Sequence, residues 1–234
     1  MNNFLKVSIL IFLSVASACN RTVNGTGPIV TETRSLDNAT AIELSVPARV
    51  TLIKADSFSC IIGAQQNILD LIKTDTDGND FIIKSDKNFN TEKPVDIVIS
   101  MPTIEGLVIN GSGEINCPNP LHEKELVLEI NGSGKLKLGG KIIDLSADIR
   151  GSGEMYVNGK CEQQKITISG SGYYYGFALE TERTKVNISG SGNAEVTVAD
   201  ELNAEISGSG NVQYKGDPHL KTDISGSGNV KKID

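Results

Sequence analysis

Three residues before each of seven Gly-Ser-Gly triplets the chain places Val108, Glu129, Asp148, Thr167, Asn187, Glu205 and Asp223. The acidic members of that series could do chemistry if the triplets stack. Rungs of a β-stack lie ~4.8 Å apart, so Glu129 would adjoin Asp148 and Glu205 would adjoin Asp223. Carboxyl groups about 5 Å apart serve retaining glycosidases, and grouped carboxylates bind calcium. A solvated face, its charge relieved by nearby lysines, is the simpler expectation. A second candidate is "GYYYGF", which holds Tyr173, Tyr174, Tyr175 and Phe177. Tyr174 should point inward and leave Tyr173 and Tyr175 outward, where rings stack on sugars or anchor a protein partner. A shielding patch is the plainer alternative.

Other chemistry is weaker. Glycine-rich turns cradle phosphate when a helix follows, but strand-like sequence follows each triplet here. "DTDGND", Asp75 to Asp80, has acidic spacing, yet Gly78 stands fourth where a calcium loop needs it sixth. A hairpin turn at Asp77-Gly78 is preferred. His122 and His219 are the only histidines, both in loop-like contexts. No metal site or cofactor is expected, and no catalytic residue is assigned.

These side chains need a scaffold, and the repeats supply one. Gly-Ser-Gly starts at 111, 132, 151, 170, 190, 208 and 226, at intervals of 18 to 21 residues. Two residues before each triplet stands an isoleucine: Ile109, Ile130, Ile149, Ile168, Ile188, Ile206 and Ile224. Two residues after come Ile115, Leu136, Met155, Tyr174, Ala194, Val212 and Val230. Period two on both flanks means strands with one face inward. A single coil cannot bury that face alone, but stacked coils can. The expected fold is therefore all-β, a parallel β-helix or β-solenoid, right-handed by the rule for parallel crossovers. Glycine on either side of the serine permits φ > 0 and a tight corner. The serine can bond local backbone or the next serine. Outward positions after the triplet, Glu114, Lys135, Glu154, then Asn193, Asn211 and Asn229, suit pairing between coils. Lys231 and Lys232 on the last coil discourage edge-to-edge growth.

Upstream, residues 30–105 lack the triplet but remain strand-like, with "QQNILDLI" the one helix candidate. Residues 1–18 read as an export signal: Lys6, an apolar run from Val7 to Val15, and small residues before Cys19. The placement of Cys19 resembles a bacterial lipobox, so Cys19 is the expected lipid attachment site and residues 19–29 a flexible spacer. Residues 30–234 then form one solenoid domain, irregular to 105 and regular from 106. Loss of residues 1–18 removes Lys6 and leaves 21 basic against 29 acidic residues. That balance argues against nucleic acid as a partner. Cys60, Cys117 and Cys161 allow at most one bridge, so no disulfide framework is present. Cys117 falls on the inward register, as an apolar filler.

Taken together, the signal segment, the early β region ending "DIVISMPTIEGLVINGSGEI", and the serial coils closing "GNVQYKGDPHLKTDISGSGNVKKI" resemble the head GIN domain family of Bacteroidetes-type bacteria. The resemblance spans roughly 30–234. It implies a β-helix-like fold, a cell-envelope location and no catalytic residues to carry over. The expected function is a non-enzymatic, adhesin-like envelope lipoprotein, membrane-tethered through Cys19, with a glycan or protein partner. The alternatives are a polysaccharide-active enzyme using Glu129, Asp148, Glu205 and Asp223, and a purely structural envelope scaffold. Coil intervals that vary by only three residues leave little chain for groove walls, which disfavours the enzyme. Asn20-Arg21-Thr22-Val23 after the cysteine leaves the surface and periplasmic faces of the outer membrane both open.

Overall fold

The computed structural model describes residues 22–234; the expected export signal and lipid attachment site, residues 1–18 and Cys19, lie outside them. The inward aliphatic side chains align as the period-two pattern requires. On one side of the corner, Ile109, Ile130, Ile149, Ile168, Ile188, Ile206 and Ile224 stand in parallel register, one per coil. On the other, Ile115, Leu136, Met155, Tyr174, Ala194, Val212 and Val230 do the same. The first six isoleucines are at most 2% exposed, whereas Ile224, with no further coil above it, is 40% exposed. Each fully buried aliphatic side chain contributes about 1.5–3 kcal/mol of transfer free energy, so the ladder is the main cohesive element. The chain is a parallel β-solenoid.

The two glycines of each triplet have different tasks, which corrects the symmetric role expected of them. Only the first is left-handed, with φ between 110° at Gly111 and 139° at Gly132. The second is selected by space. A Cβ on Gly172 would lie 2.4 Å from Ile149 Cγ2 of the preceding coil, and one on Gly153 would lie 2.5 Å from Ile130 Cγ2. Each isoleucine thus fills the hollow left by the next coil's second glycine. The central serine is exposed, and its backbone N–H donates to the preceding coil's first glycine carbonyl, as in Ser152 to Gly132 at 2.8 Å.

The early region departs from simple sequence order. Strand Ala41–Leu44 pairs with Gly106–Gly111, placing Leu44 under Ile109, and Ala48–Lys54 pairs with Glu114–Asn116, placing Val50 under Ile115. "LSVPAR" is therefore a corner coil of the same length as "INGSGE". The coil beneath it comes later in sequence: Asp80–Ser85 pairs with Ala41–Leu44, and Val95–Met101 with Ala48–Lys54. Antiparallel strands close that end. Ile72–Asp77 folds on Asp80–Ser85 about Gly78-Asn79, while Ser59–Gln65 covers Val95–Met101 and is itself covered by Ile29–Arg34. The one-turn helix Gln66–Leu69 buries Ile68 and Leu69. The stretch expected as a flexible spacer is partly built into the fold. Val23-Asn24 pairs with Phe89-Asn90, and Asn67 Nδ2 donates to the Asn24 carbonyl at 2.7 Å.

Cys60, Cys117 and Cys161 are buried and unbridged. Burial pushes the Cys60 thiol up to about 12 and the Cys117 and Cys161 thiols up to about 11. Among the described residues no helix is long and apolar enough to cross a membrane.

Candidate functional site

Strand register brings the acidic residues together as rung neighbours, Glu129 with Asp148 and Glu205 with Asp223. In each pair at least one carboxylate is bound by a cation. Arg150, two residues beyond Asp148 on the same face, reaches both partners of the first pair. Its Nη1 lies 3.2 Å from Glu129 Oε2 and its Nη2 lies 2.6 Å from Asp148 Oδ2. Nη1 also donates to Asn131 Oδ1 at 3.1 Å. Burial raises the Asp148 carboxyl above its ordinary 3.8, with Glu129 adding to the rise and Arg150 opposing it. In the second pair, Glu205 is held by Lys185 at 2.9 Å. A carboxylate bridged by guanidinium is a cross-strand tie. No group of three or more His, Cys, Asp or Glu is arranged for a metal among the described residues.

The tyrosines occupy a different face, beyond the corner. Tyr174 is fully buried and Tyr173 and Tyr175 point outward, as the alternation predicts. Their rings are not free platforms. Tyr175 stacks on Tyr156 at 4.3 Å and 9°, and on Tyr173 at 4.0 Å and 13°. Two parallel rings this close must lie on opposite faces of Tyr175, so both of its faces are taken. Tyr156 donates to Glu154 at 2.9 Å and Tyr173 to Glu195 at 2.8 Å. Burial and those carboxylates hold both hydroxyls protonated well above the usual phenol range. Lys135 sits 5.5 Å from the Tyr156 ring centroid and bonds Glu154 at 2.8 Å; that bond, then Tyr156, keeps the Glu154 carboxyl low. Of the positions after the triplet, Lys135 pairs with Glu154 and Asn211 Nδ2 donates to Asn193 Oδ1 at 3.0 Å, while Glu114 is paired with Lys137 instead. Tyr156 was not singled out from the sequence, although it lies on the same outward column as Tyr175, one coil earlier.

A further concavity lies elsewhere, on a strip that sequence reasoning passed over. A groove of about 500 Å³ runs across successive coils. One rim is the register column Glu125, Asp144, Gln163, Arg183 and Glu201. The other carries Lys165 and Lys185 on adjacent rungs. Between them the floor is the inward column Leu126, Leu145, Gln164 and Thr184, apolar at its first two rungs and polar at the next two. The rims arise because residues either side of an inward leucine point outward. Lys185 is occupied by Glu205, while Lys165 and Arg183 form no ion pair among the described residues. The groove can therefore offer two cations beside the polar floor residues Gln164 and Thr184, with Leu126 and Leu145 on the rungs below, to something laid along the stack.

The chain is thus a β-solenoid with continuous side-chain columns and a shallow lengthwise groove. The family model "Putative auto-transporter adhesin, head GIN domain" matches residues 38–218, and the chain belongs to that family. Solved structures share the fold. A putative adhesin from Bacteroides fragilis superposes with a TM-score of 0.85 at 20% identity, over 90% of this chain and 100% of that one. A putative lipid binding protein from Parabacteroides distasonis gives 0.77 at 22%, over 92% and 100%. A putative adhesin from the same organism gives 0.74 at 20%, over 91% and 100%. No functionally curated protein matches the chain.

Proposed function

We propose that the chain is a non-enzymatic, adhesin-like lipoprotein of the cell envelope, tethered through Cys19, whose solenoid binds an extended glycan or protein segment along the groove. The observation that carries this reading is the groove itself. It crosses several coils, has a floor that passes from Leu126 and Leu145 to Gln164 and Thr184, and sets Lys165 and Arg183 at its centre with no ion-pair partner among the described residues. Beside Glu125, Asp144 and Glu201 on the rim, those two cations suit an extended polymer that carries acidic groups at intervals rather than along its whole length. The tyrosine ladder and the Glu129–Arg150–Asp148 bridge act as inter-coil fastenings that keep the presenting faces straight. Family membership supports an external contact role.

A glycan array and a pull-down from envelope extract, each read with the chain and with a Lys165→Glu/Arg183→Glu variant, test the groove. Binding to acidic glycans or to a protein segment should fall at least tenfold in the variant. Glu129→Ala/Asp148→Ala should bind as the parent does and show no change in glycan hydrolysis. Undiminished binding by the groove variant removes the assignment. For the anchor, Cys19→Ser should abolish labelling by a fatty-acid analogue and release the protein from the membrane fraction.

A further inference from the structure

The two ends of the solenoid are finished differently. One end is closed by antiparallel strands and the helix Gln66–Leu69. At the other, the strand His219–Gly226 pairs with the preceding coil on one edge only, and every one of its residues is exposed. Leu220 and Ile224, both on the inward register, are each 40% exposed. An unpaired edge flanked by apolar side chains is a template for another strand.

The sequence of that edge is complementary to itself. Set two copies antiparallel with Thr222 opposite Thr222 of the second copy. Leu220 then falls opposite Ile224, and Lys221 opposite Asp223. Each pairing occurs twice, and side chains on the same face meet. The charges involved lack partners at present. Asp223 has Glu205 as its rung neighbour, and Glu205 is already bonded to Lys185. Neither Asp223 nor Lys221 forms an ion pair among the described residues. The lysines read as edge protection lie on the other strand of the coil, Asn229–Lys232, and Lys232 is paired with Asp217. We propose that the occupant of this edge is a second copy of the chain. The two solenoids join end to end about a two-fold axis at Thr222, which carries the aliphatic ladder from one copy into the other. An isologous contact of this kind closes as a dimer and does not propagate.

The test uses the full chain in its own envelope. Thr222→Cys places identical thiols across the axis, at cross-strand Cβ separations of about 4.5–5.5 Å. Mild oxidation should then give a band of twice the monomer mass on a non-reducing gel, absent from the parent. Adding Asp223→Lys sets Lys221 against a lysine and should cut that band about tenfold. Adding Lys221→Asp as well restores the opposite charges and should restore the band. Absence of the dimer band in Thr222→Cys, with monomer present at normal level, overturns the proposal. So does a charge swap that fails to restore it, since head-to-tail stacking would not recover by that exchange.

Discussion

Gly172→Ala is the sharpest probe of how successive coils lock. Gly172 has ordinary backbone, so a methyl group meets no conformational objection there. The obstacle is space: the added Cβ would lie 2.4 Å from Ile149 Cγ2 and 2.9 Å from the Gly153 carbonyl oxygen. Non-bonded carbon atoms rest at ~3.5–4.0 Å, so the coil must open locally by more than about 1 Å against a rung spacing of ~4.8 Å. Overpacking of that kind costs about 1–3 kcal/mol. Ile149→Leu removes the Cγ2 branch while conserving volume, and alone should cost less than about 1.5 kcal/mol. The double variant Gly172→Ala/Ile149→Leu should then recover part of the loss, with a coupling of at least about 0.5 kcal/mol. Urea unfolding followed by circular dichroism measures all four corners of the cycle. A Gly172→Ala chain as stable as the parent, or a double variant whose losses simply add, would refute the interlock.

Three further expectations concern titration and stacking. In the native chain at pH 8, Cys60, Cys117 and Cys161 should not react with a thiol reagent, because burial raises all three. Denaturation should release three thiols, and a fourth would show Cys19 unmodified. Asp148 is raised above 3.8 in the folded state, so between that value and its folded one the native chain holds a proton the unfolded chain releases. Its contribution to stability should therefore grow as pH falls through that window and vanish as pH rises past the folded value. Asp148→Asn should flatten that part of the melting-temperature profile. Tyr175→Ala breaks two ring stacks worth about 0.5–1.5 kcal/mol each, whereas Tyr173→Ala breaks one. Tyr173→Ala also loses the hydrogen bond to Glu195, so measured from a Tyr173→Phe baseline it should show about half the loss of Tyr175→Ala, and Tyr175→Ala should give the larger change in near-ultraviolet dichroism.

The regular coils were legible because isoleucine and Gly-Ser-Gly recur on a period-two background, and that combination admits few packings. The second glycine's purpose was not legible, since its hollow is defined by Ile149 or Ile130 of another coil. Nor was the stacking order of the early coils. Leu44 and Ile83 lie on the same ladder as Ile109, but "LSVPAR" achieves its corner with Val-Pro-Ala in place of the triplet. Nothing local announces that residues 80–101 sit beneath residues 41–54. Of the site residues, inward and outward assignments for Tyr173, Tyr174 and Tyr175 followed from alternation. The ring stacking did not, because it needs the partner Tyr156 from the neighbouring coil. The groove was invisible for a related reason. Its rims join columns separated by one inward residue, which changes from Leu126 and Leu145 to Gln164 and Thr184, so no single stretch of sequence displays it.

The sealed base and repeating upper storeys make this architecture a molecular ruler. Duplicating one unit of the Gly-Ser-Gly type would raise the far tip by ~4.8 Å while leaving the antiparallel seal untouched, because the seal contacts only the lowest tiers. Copying or losing a short in-frame segment thus changes the length of the solenoid without redesigning the base.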